Sequence, residues 1–273
     1  MPDSITASIV VYKNNPVILS KAISSFLMGS SEGKLFIVDN SPEDSLRPIC
    51  EGDRIWYFFV GKNIGFGAAH NIAIRKAMEK NHCYHLVLNP DVFFDEKVLD
   101  SLFKFMNEHP GIGLAMPKVL YPDGRLQYLC RLLPSPLTLV ARRLGTKSKR
   151  LSAQNDISEL RFSGYDQIMD VPFLSGCFMF LRVDALKKVG LFDERIFLYT
   201  EDMDLTRRIH RHFRTVFYPH VTVYHYHERA SYKKLQTLFH HAFSAVTYFN
   251  KWGWFNDSER EIINKNILLK LSR

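Results

Sequence analysis

Residues His85–Phe94 read HLVLNPDVFF: an apolar run meets Asn89-Pro90-Asp91 and then turns apolar again. Proline has no N–H to give a sheet ladder, so Pro90 marks the end of a buried strand and leaves Asp91 just beyond it. Similar runs lie upstream. Ile5–Tyr12 (ITASIVVY) is rich in β-branched residues. Leu35–Asp39 (LFIVD) and Ile55–Val60 (IWYFFV) are continuous apolar stretches, as strands buried on both faces require. Between them the spacing changes. Ile18, Ala22, Ile23, Phe26 and Leu27 share one helical face, and helices are predicted over Ala68–Met78 and Lys97–Met106.

Strand, helix, strand, helix with short connections predicts an α/β fold with a mostly parallel, doubly wound sheet flanked by helices. Ligands of such sheets sit beyond the carboxyl ends of the strands, where Tyr12, Asp39, Asn40 and Asp91 fall. After Lys118 the pattern is irregular. Arg142–Arg150 (RRLGTKSKR) reads as a mobile loop, Phe173–Val183 as a strand, Thr200–His212 as a helix and Thr215–His227 as a strand. Ser231–Arg273 reads as mainly helical, and no internal repeat or long linker is present.

The 273 residues carry a formal net charge of +8, which points to anionic partners: nucleic acid, phosphorylated small molecules or an anionic membrane surface. Nucleic acid is set aside, because the basic residues are dispersed and no helix-turn-helix, zinc finger or RNP-like motif occurs. The four cysteines (Cys50, Cys83, Cys130, Cys177) are far apart, which fits a reducing cytosol and neither a disulfide framework nor a zinc cluster. MPDSITASIVVY leads straight into a strand, so no secretory signal is expected. No apolar run reaches the roughly 18 residues of a membrane span.

Several short motifs each admit two readings. Gly61–Asn71 (GKNIGFGAAHN) has a G-x-G between strand and helix, but His70 stands where a dinucleotide turn would have its third glycine. It is a plain glycine turn into a helix, or a close approach of backbone to a nucleotide with Asn63 and Asn71 as amide partners. Asp39 in IVDNS either caps its own Asp-Asn-Ser turn or accepts the ring N–H of a pyrimidine base. In YTEDMDLTRR, Thr200 is a candidate N-cap, and Glu201, Asp202 and Asp204 suit the first turn of a helix. The apolar VGLFDERIFLY before them would carry these acids into a cleft, where one could act as a general base. Val221–His227 (VTVYHYH) alternates, placing Val221, Val223, His225 and His227 on one face, as core histidines or as a ligand pair for a cation or phosphate.

Taken in order, SIVVYKN, IVDNS, the N-x-G-x-G turn, LNPDV, the block FLSGCFMFLRVDALKKVGLFDERIFLYTEDMDL and YPHVTVYHYHERAS resemble the family 2 inverting glycosyltransferases of GT-A fold. The likeness covers nearly the whole chain. LNPDV, HYHERASYKK and FNKWGWF are similar to bacterial rhamnosyltransferases of O-antigen and related polysaccharide assembly.

The resemblance implies a site. Val11, Tyr12 and Asp39 would contact the base of a nucleotide-diphosphate sugar, with Asn63, Gly65, Gly67 and Asn71 close to the nucleotide. Asn89 and Asp91 would stand at the family's D-x-D, and Ser175-Gly176 beside the sugars. Asp202 would be the catalytic base with Glu201 next to it, while His225 and His227 face metal and diphosphate. Asp91 and His225 would hold Mg²⁺ or Mn²⁺. With Asn89 in place of the first acid, the metal site is half-built, and donor phosphates and water complete it. The chemistry agrees: a hydroxyl is a weak nucleophile at neutral pH, so a carboxylate must take its proton as the bond forms.

These implications give an inverting transferase moving L-rhamnose from dTDP-L-rhamnose to a polyprenyl-diphosphate-linked glycan in bacterial surface polysaccharide synthesis. A UDP-hexose donor and a non-catalytic nucleotide- or glycan-binding module are the alternatives. Residues 1–230 would form the GT-A domain, with a nucleotide-sugar half (1–120) and an acceptor half (121–230). Residues 231–273, where basic and aromatic side chains interleave, would be a helical extension that packs on the domain, contacts an anionic membrane, or both. That places the protein in the cytoplasm, peripheral to the inner membrane.

Overall fold

The computed structural model describes residues 5–144, 149–227 and 235–272. The first half runs β1 (Ile5–Val11), α1 (Pro16–Gly29), β2 (Lys34–Asp39), β3 (Ile55–Phe59), α2 (Phe66–Glu79), β4 (Tyr84–Leu88), β5 (Val92–Phe94), α3 (Lys97–Glu108) and β6 (Ile112–Leu120). The second runs β7 (Cys130–Arg131), α4 (Pro136–Leu144), α5 (Lys149–Ser158), β8 (Met169–Asp170), β9 (Phe173–Leu174), β10 (Phe178–Arg182) and α6 (Val183–Val189). It ends with α7 (Glu201–His210), β11 (Arg214–His225), α8 (Leu235–Trp252) and α9 (Ser258–Leu271).

The main sheet has the order β3-β2-β1-β4-β10-β6-β11-β5, with β8 against β11. The parallel layout read from the sequence holds across β3, β2, β1 and β4. The sheet as a whole is mixed, because β10 runs antiparallel between β4 and β6. One core, including Ile9, Phe26, Leu88, Leu102 and Phe178, packs α1 and α3 on one face. A second, including Ile74, Met179, Leu186, Leu205 and Ile267, packs α2, α6, α7 and α9 on the other. Asn15 caps α1, its side chain accepting from Val17 and Ile18 N–H, with Pro16 pre-set for the first turn.

Four expectations are corrected. β3 is not buried on both faces: it is an edge strand, and Phe59 is 38% exposed. Its apolar side chains are partly shielded instead by cations, with Lys80 Nζ 3.9 Å from the Trp56 ring centre. The predicted loop 142–150 is entered from both sides by helices, α4 and α5, and only residues 145–148 of it lie outside the described residues. Phe173–Val183 is two strands, broken at Ser175-Gly176-Cys177. Thr200 holds the N-cap position of α7, but its hydroxyl makes no cap; it donates to the Ser244 carbonyl at 3.1 Å.

The C-terminal helices are docked on the domain. Leu133, Leu139, Phe173, Met203, Tyr248 and Phe249 form a third apolar cluster joining α4, α7 and α8. Among the described residues no helix is long and apolar enough to cross a membrane.

Candidate active site

Three chain turns meet where β4 and β11 end and β10 begins. Asn89 N–H donates to the Cys177 carbonyl (2.9 Å), joining the Asn-Pro-Asp turn to the Ser-Gly-Cys turn. Tyr226 N–H donates to the Asp91 carbonyl (3.1 Å), joining the first of these to the end of β11. With the start of α7 they wall a cleft of about 850 Å³. Of the predicted residues, Asn89, Asp91, Ser175, Gly176, Glu201, Asp202, His225 and His227 line it.

His225 Nε2 stands 3.3 Å from Asp91 Oδ1. Gln127 fixes the ring: its Nε2 donates to the His225 carbonyl (2.7 Å), so its Oε1 faces His225 Nδ1 (3.0 Å) and accepts from it. Burial works against a charged His225, but the Asp91 carboxylate and the contact with Cys177 outweigh it, and the imidazole pKa is pushed up to about 10. Burial likewise opposes charge on Asp91, and the His225 hydrogen bond wins, holding its pKa below the usual carboxylate value. Among the described residues no group of three His, Cys, Asp or Glu is disposed to hold a metal ion. With Nδ1–H held on Gln127, the proton on Nε2 is the one a divalent cation would displace; an Asp91 oxygen and the freed Nε2 then fit a cation that brings substrate phosphates and water as its other ligands.

Asp202 Oδ2 accepts from Gly176 N–H at 2.8 Å and Oδ1 from Met203 N–H at 2.8 Å. Beside it Glu201 is buried, its Oε2 lacking a hydrogen-bond partner among the described residues. Burial and then the neighbouring Asp202 charge push Glu201 well above the ordinary carboxylate range. A protonated Glu201 removes a like charge from Asp202. The segment entering this turn is strained: Tyr199 has φ +91°, costly for an aromatic residue. Two stacks from α8 hold it, Phe197 on His240 (4.4 Å between ring centres) and Tyr199 on His241 (4.6 Å).

The remaining predicted residues lie outside this cleft, and several are occupied. Val11 ends β1 in register with Asp39, and Tyr12 beyond it is 48% exposed. Asp39 is fully buried, accepting from Ser41 N–H and Tyr57 O–H, each at 2.7 Å, so the local-turn reading is realised. Asn63 Oδ1 accepts from Gly65 N–H at 3.0 Å, folding the N-x-G turn on itself. The two glycines make room for protein. A Cβ at Gly65 would lie 2.7 Å from the Phe197 carbonyl, and one at Gly67 2.8 Å from Phe192 Cβ. The Asn71 amide is engaged within the protein, bonding Phe192 N–H (3.0 Å), the Phe192 carbonyl (2.9 Å) and Glu194 (2.9 Å).

Sequence reasoning missed Gln127, Arg131, Arg161 and His241, which also line the cleft. The first three come from the irregular stretch after Lys118, where no periodicity marks them; His241 was legible only as a member of a basic and aromatic helix.

The profile of the glycosyltransferase-like family 2 matches residues 2–242. The chain belongs to glycosyltransferase family 2. Among its relatives, the low-salt glycan biosynthesis hexosyltransferase Agl10 of Haloferax volcanii is 24% identical over 212 residues, 77% of this chain and 63% of that protein. The N-acetylglucosaminyl-diphospho-decaprenol L-rhamnosyltransferase of Mycobacterium tuberculosis is 30% identical over 158 residues, 55% of this chain and 51% of that one. This family 2 chain thus spans from 51% to 63% of the length of these two relatives. Its GT-A architecture is shared with the mannosyltransferase PcManGT of Pyrobaculum calidifontis, solved with GDP-mannose and Mn²⁺, at TM-score 0.57 and 15% identity over 90% of this chain and 66% of that one.

Proposed function

We propose that this protein is an inverting glycosyltransferase that moves L-rhamnose from dTDP-L-rhamnose onto a polyprenyl-diphosphate-linked glycan of a bacterial surface polysaccharide. The observation that carries the reading is the pairing, across one cleft, of Asp202 with the Asp91–His225 pair. One end offers a proton acceptor and the other a place for a diphosphate. The named sugar and lipid of the mycobacterial relative support the choice of donor and acceptor.

In this reading the base lies against Tyr12 and the turn at Asp39–Ser41, beyond the carboxyl ends of β1 and β2. Asp202 takes the proton of the acceptor hydroxyl as that oxygen attacks the anomeric carbon from the face opposite the diphosphate, which inverts the centre. Gly176 N–H holds the Asp202 carboxylate in place, and buried Glu201 stays neutral beside it. Asp91 and His225 would hold Mg²⁺ or Mn²⁺, which supplies charge neutralisation for the leaving diphosphate. The protein would work as a peripheral protein at the cytoplasmic face of the inner membrane; the exposed Phe239 and Phe243 on α8 support contact with lipid.

The test is a thermal-shift panel of nucleotide sugars with and without Mn²⁺, followed by transfer to N-acetylglucosaminyl-diphospho-prenol. The largest shift is expected for dTDP-L-rhamnose with Mn²⁺, together with inverted product. A preference for a UDP-hexose would replace the donor, and full activity in excess chelator would remove the cation. Binding without turnover of any donor would leave a glycan- or nucleotide-binding module.

A further inference from the structure

Arg131 sits on β7, opposite Phe173 of β9 and two residues of that strand away from Ser175-Gly176. It lines the same cleft, with its guanidinium carbon 5.7 Å from the Phe173 ring centre. Its Nε is buried and, among the described residues, lacks a hydrogen-bond partner. The other arginine of the cleft is differently placed: Arg161 is held by Glu159 at 2.6 Å and Asp156 at 3.3 Å. Among the described residues Arg131 has no such carboxylate. A partly buried guanidinium without an anion is unfavourable unless a ligand supplies one, and its planar fork matches phosphate oxygens.

Two diphosphates would enter this cleft, those of donor and acceptor. The donor's belongs with Asp91 and His225. β9 leads from Phe173, opposite Arg131, directly into Gly176, whose N–H holds Asp202, so Arg131 flanks the group that must meet the acceptor hydroxyl. Beyond β7 the chain enters α4, whose Leu139 lines the same cleft with Leu129 and Phe173, an apolar wall beside the cation. An anion joined to an apolar chain fits that neighbourhood.

We infer that Arg131 binds the diphosphate of an amphiphilic, prenyl-diphosphate-linked sugar acceptor; the inference rests on Asp202 as the base that meets that acceptor. Two probes separate the alternatives: a short-chain prenyl diphospho-N-acetylglucosamine, and the matching prenyl glycoside without the diphosphate. Direct binding of each to the full chain is measured without donor, and KM for donor and acceptor in transfer. The wild type is expected to prefer the diphosphate probe, and Arg131→Gln to weaken it roughly tenfold to a hundredfold, with Arg131→Lys in between. KM for the nucleotide sugar should stay within about twofold, as should binding of the prenyl glycoside. Equal binding of both probes by the wild type, or a rise in donor KM in place of acceptor KM, overturns the inference. Preference for the diphosphate that Arg131→Gln abolishes, in a protein that transfers no sugar, would uphold Arg131 while removing the transferase reading.

Discussion

The backbone N–H of Gly176 lies 2.8 Å from Asp202 Oδ2, so the turn between β9 and β10 fixes the carboxylate at the head of α7. On the proposed role, Asp202→Asn keeps an oxygen for one of its two backbone donors, Gly176 and Met203, and loses the proton acceptor. Turnover should fall about a hundredfold or more, while thermal stabilisation by dTDP stays as in the wild type. Substantial remaining turnover would remove Asp202 as the base.

Position 176 itself is sensitive. A Cβ there would stand 3.1 Å from Asp202 Cβ and 3.4 Å from its Oδ2. Gly176→Ala should therefore push the carboxylate aside by a few tenths of an ångström and reduce kcat about tenfold, with donor KM little changed. Unchanged kcat in a normally folded variant would show that the turn does not set the geometry of the base.

The C-terminal helices hold the same helix from behind. Arg207 on α7 is fully buried, bidentate with Asp257 at 2.8 and 2.6 Å, bonded to Glu259 at 2.8 Å and stacked 4.0 Å over Trp252. Asp257→Ala strands a buried guanidinium and should cost about 3–5 kcal/mol in urea unfolding. Glu259→Ala, at the half-exposed end of the network, should cost about 1 kcal/mol or less. Equal losses would mean that burial is not what makes the first pair matter.

How much of this was legible in the sequence depends on whether a residue announces its neighbours. Continuous apolar strands and Asn89-Pro90-Asp91 announce a sheet and a strand end, so the parallel half and the place of Asp91 were readable. Asp202 was readable as an acid at a helix start. Asn71, Gly65 and Gly67 were readable as special but not as facing Phe192 and Phe197, because nothing in the local chain names a partner more than a hundred residues away. Gln127 and Arg131 gave no signal, since short strands and turns have no period. β3 misled because an edge strand can be as apolar as a central one when aromatic rings and cations cover it.

Acid should unfold the protein through a buried histidine pair. Ser8 Oγ bridges His70 Nδ1 (2.7 Å) and His85 Nε2 (2.8 Å), and Thr6 Oγ1 meets His85 Nδ1 (2.8 Å). Burial holds both imidazoles neutral, His85 with its pKa lowered to about 3 and His70 well below its ordinary value. The unfolded chain binds protons near pH 6.5 that the folded chain refuses. Stability from this pair is thus complete above that pH and is lost as pH falls, for His85 down to about 3 and by about 2 kcal/mol at pH 5. His225 and Glu201, whose folded pKa values are raised, gain stability over the same range, so the check is the urea midpoint of the wild type and of His85→Gln at pH 7.5 and 5; the same pH dependence in both would contradict the role of the pair.

Exposed aromatics on α8 carry the membrane prediction. Phe239 (68% exposed) and Phe243 (63%) lie one turn apart on its outer face. The double change Phe239→Ser, Phe243→Ser should reduce flotation with phosphatidylglycerol vesicles several-fold while thermal stability holds. Undiminished flotation would place the contact elsewhere.

The position of β10 bears on how the chain is made. Its neighbours β4 and β6 come from the first 120 residues, and nothing joins them until residues 178–182 arrive. On the ribosome the emerging first half would leave the facing edges of β4 and β6 unpaired for the time it takes to synthesise some sixty further residues. Nascent chains stalled before Phe178 should engage chaperones or aggregate, and those stalled well past Arg182 should resist proteolysis. The strand that bridges β4 and β6, made before β11 closes the sheet, would then also be a checkpoint of its biogenesis.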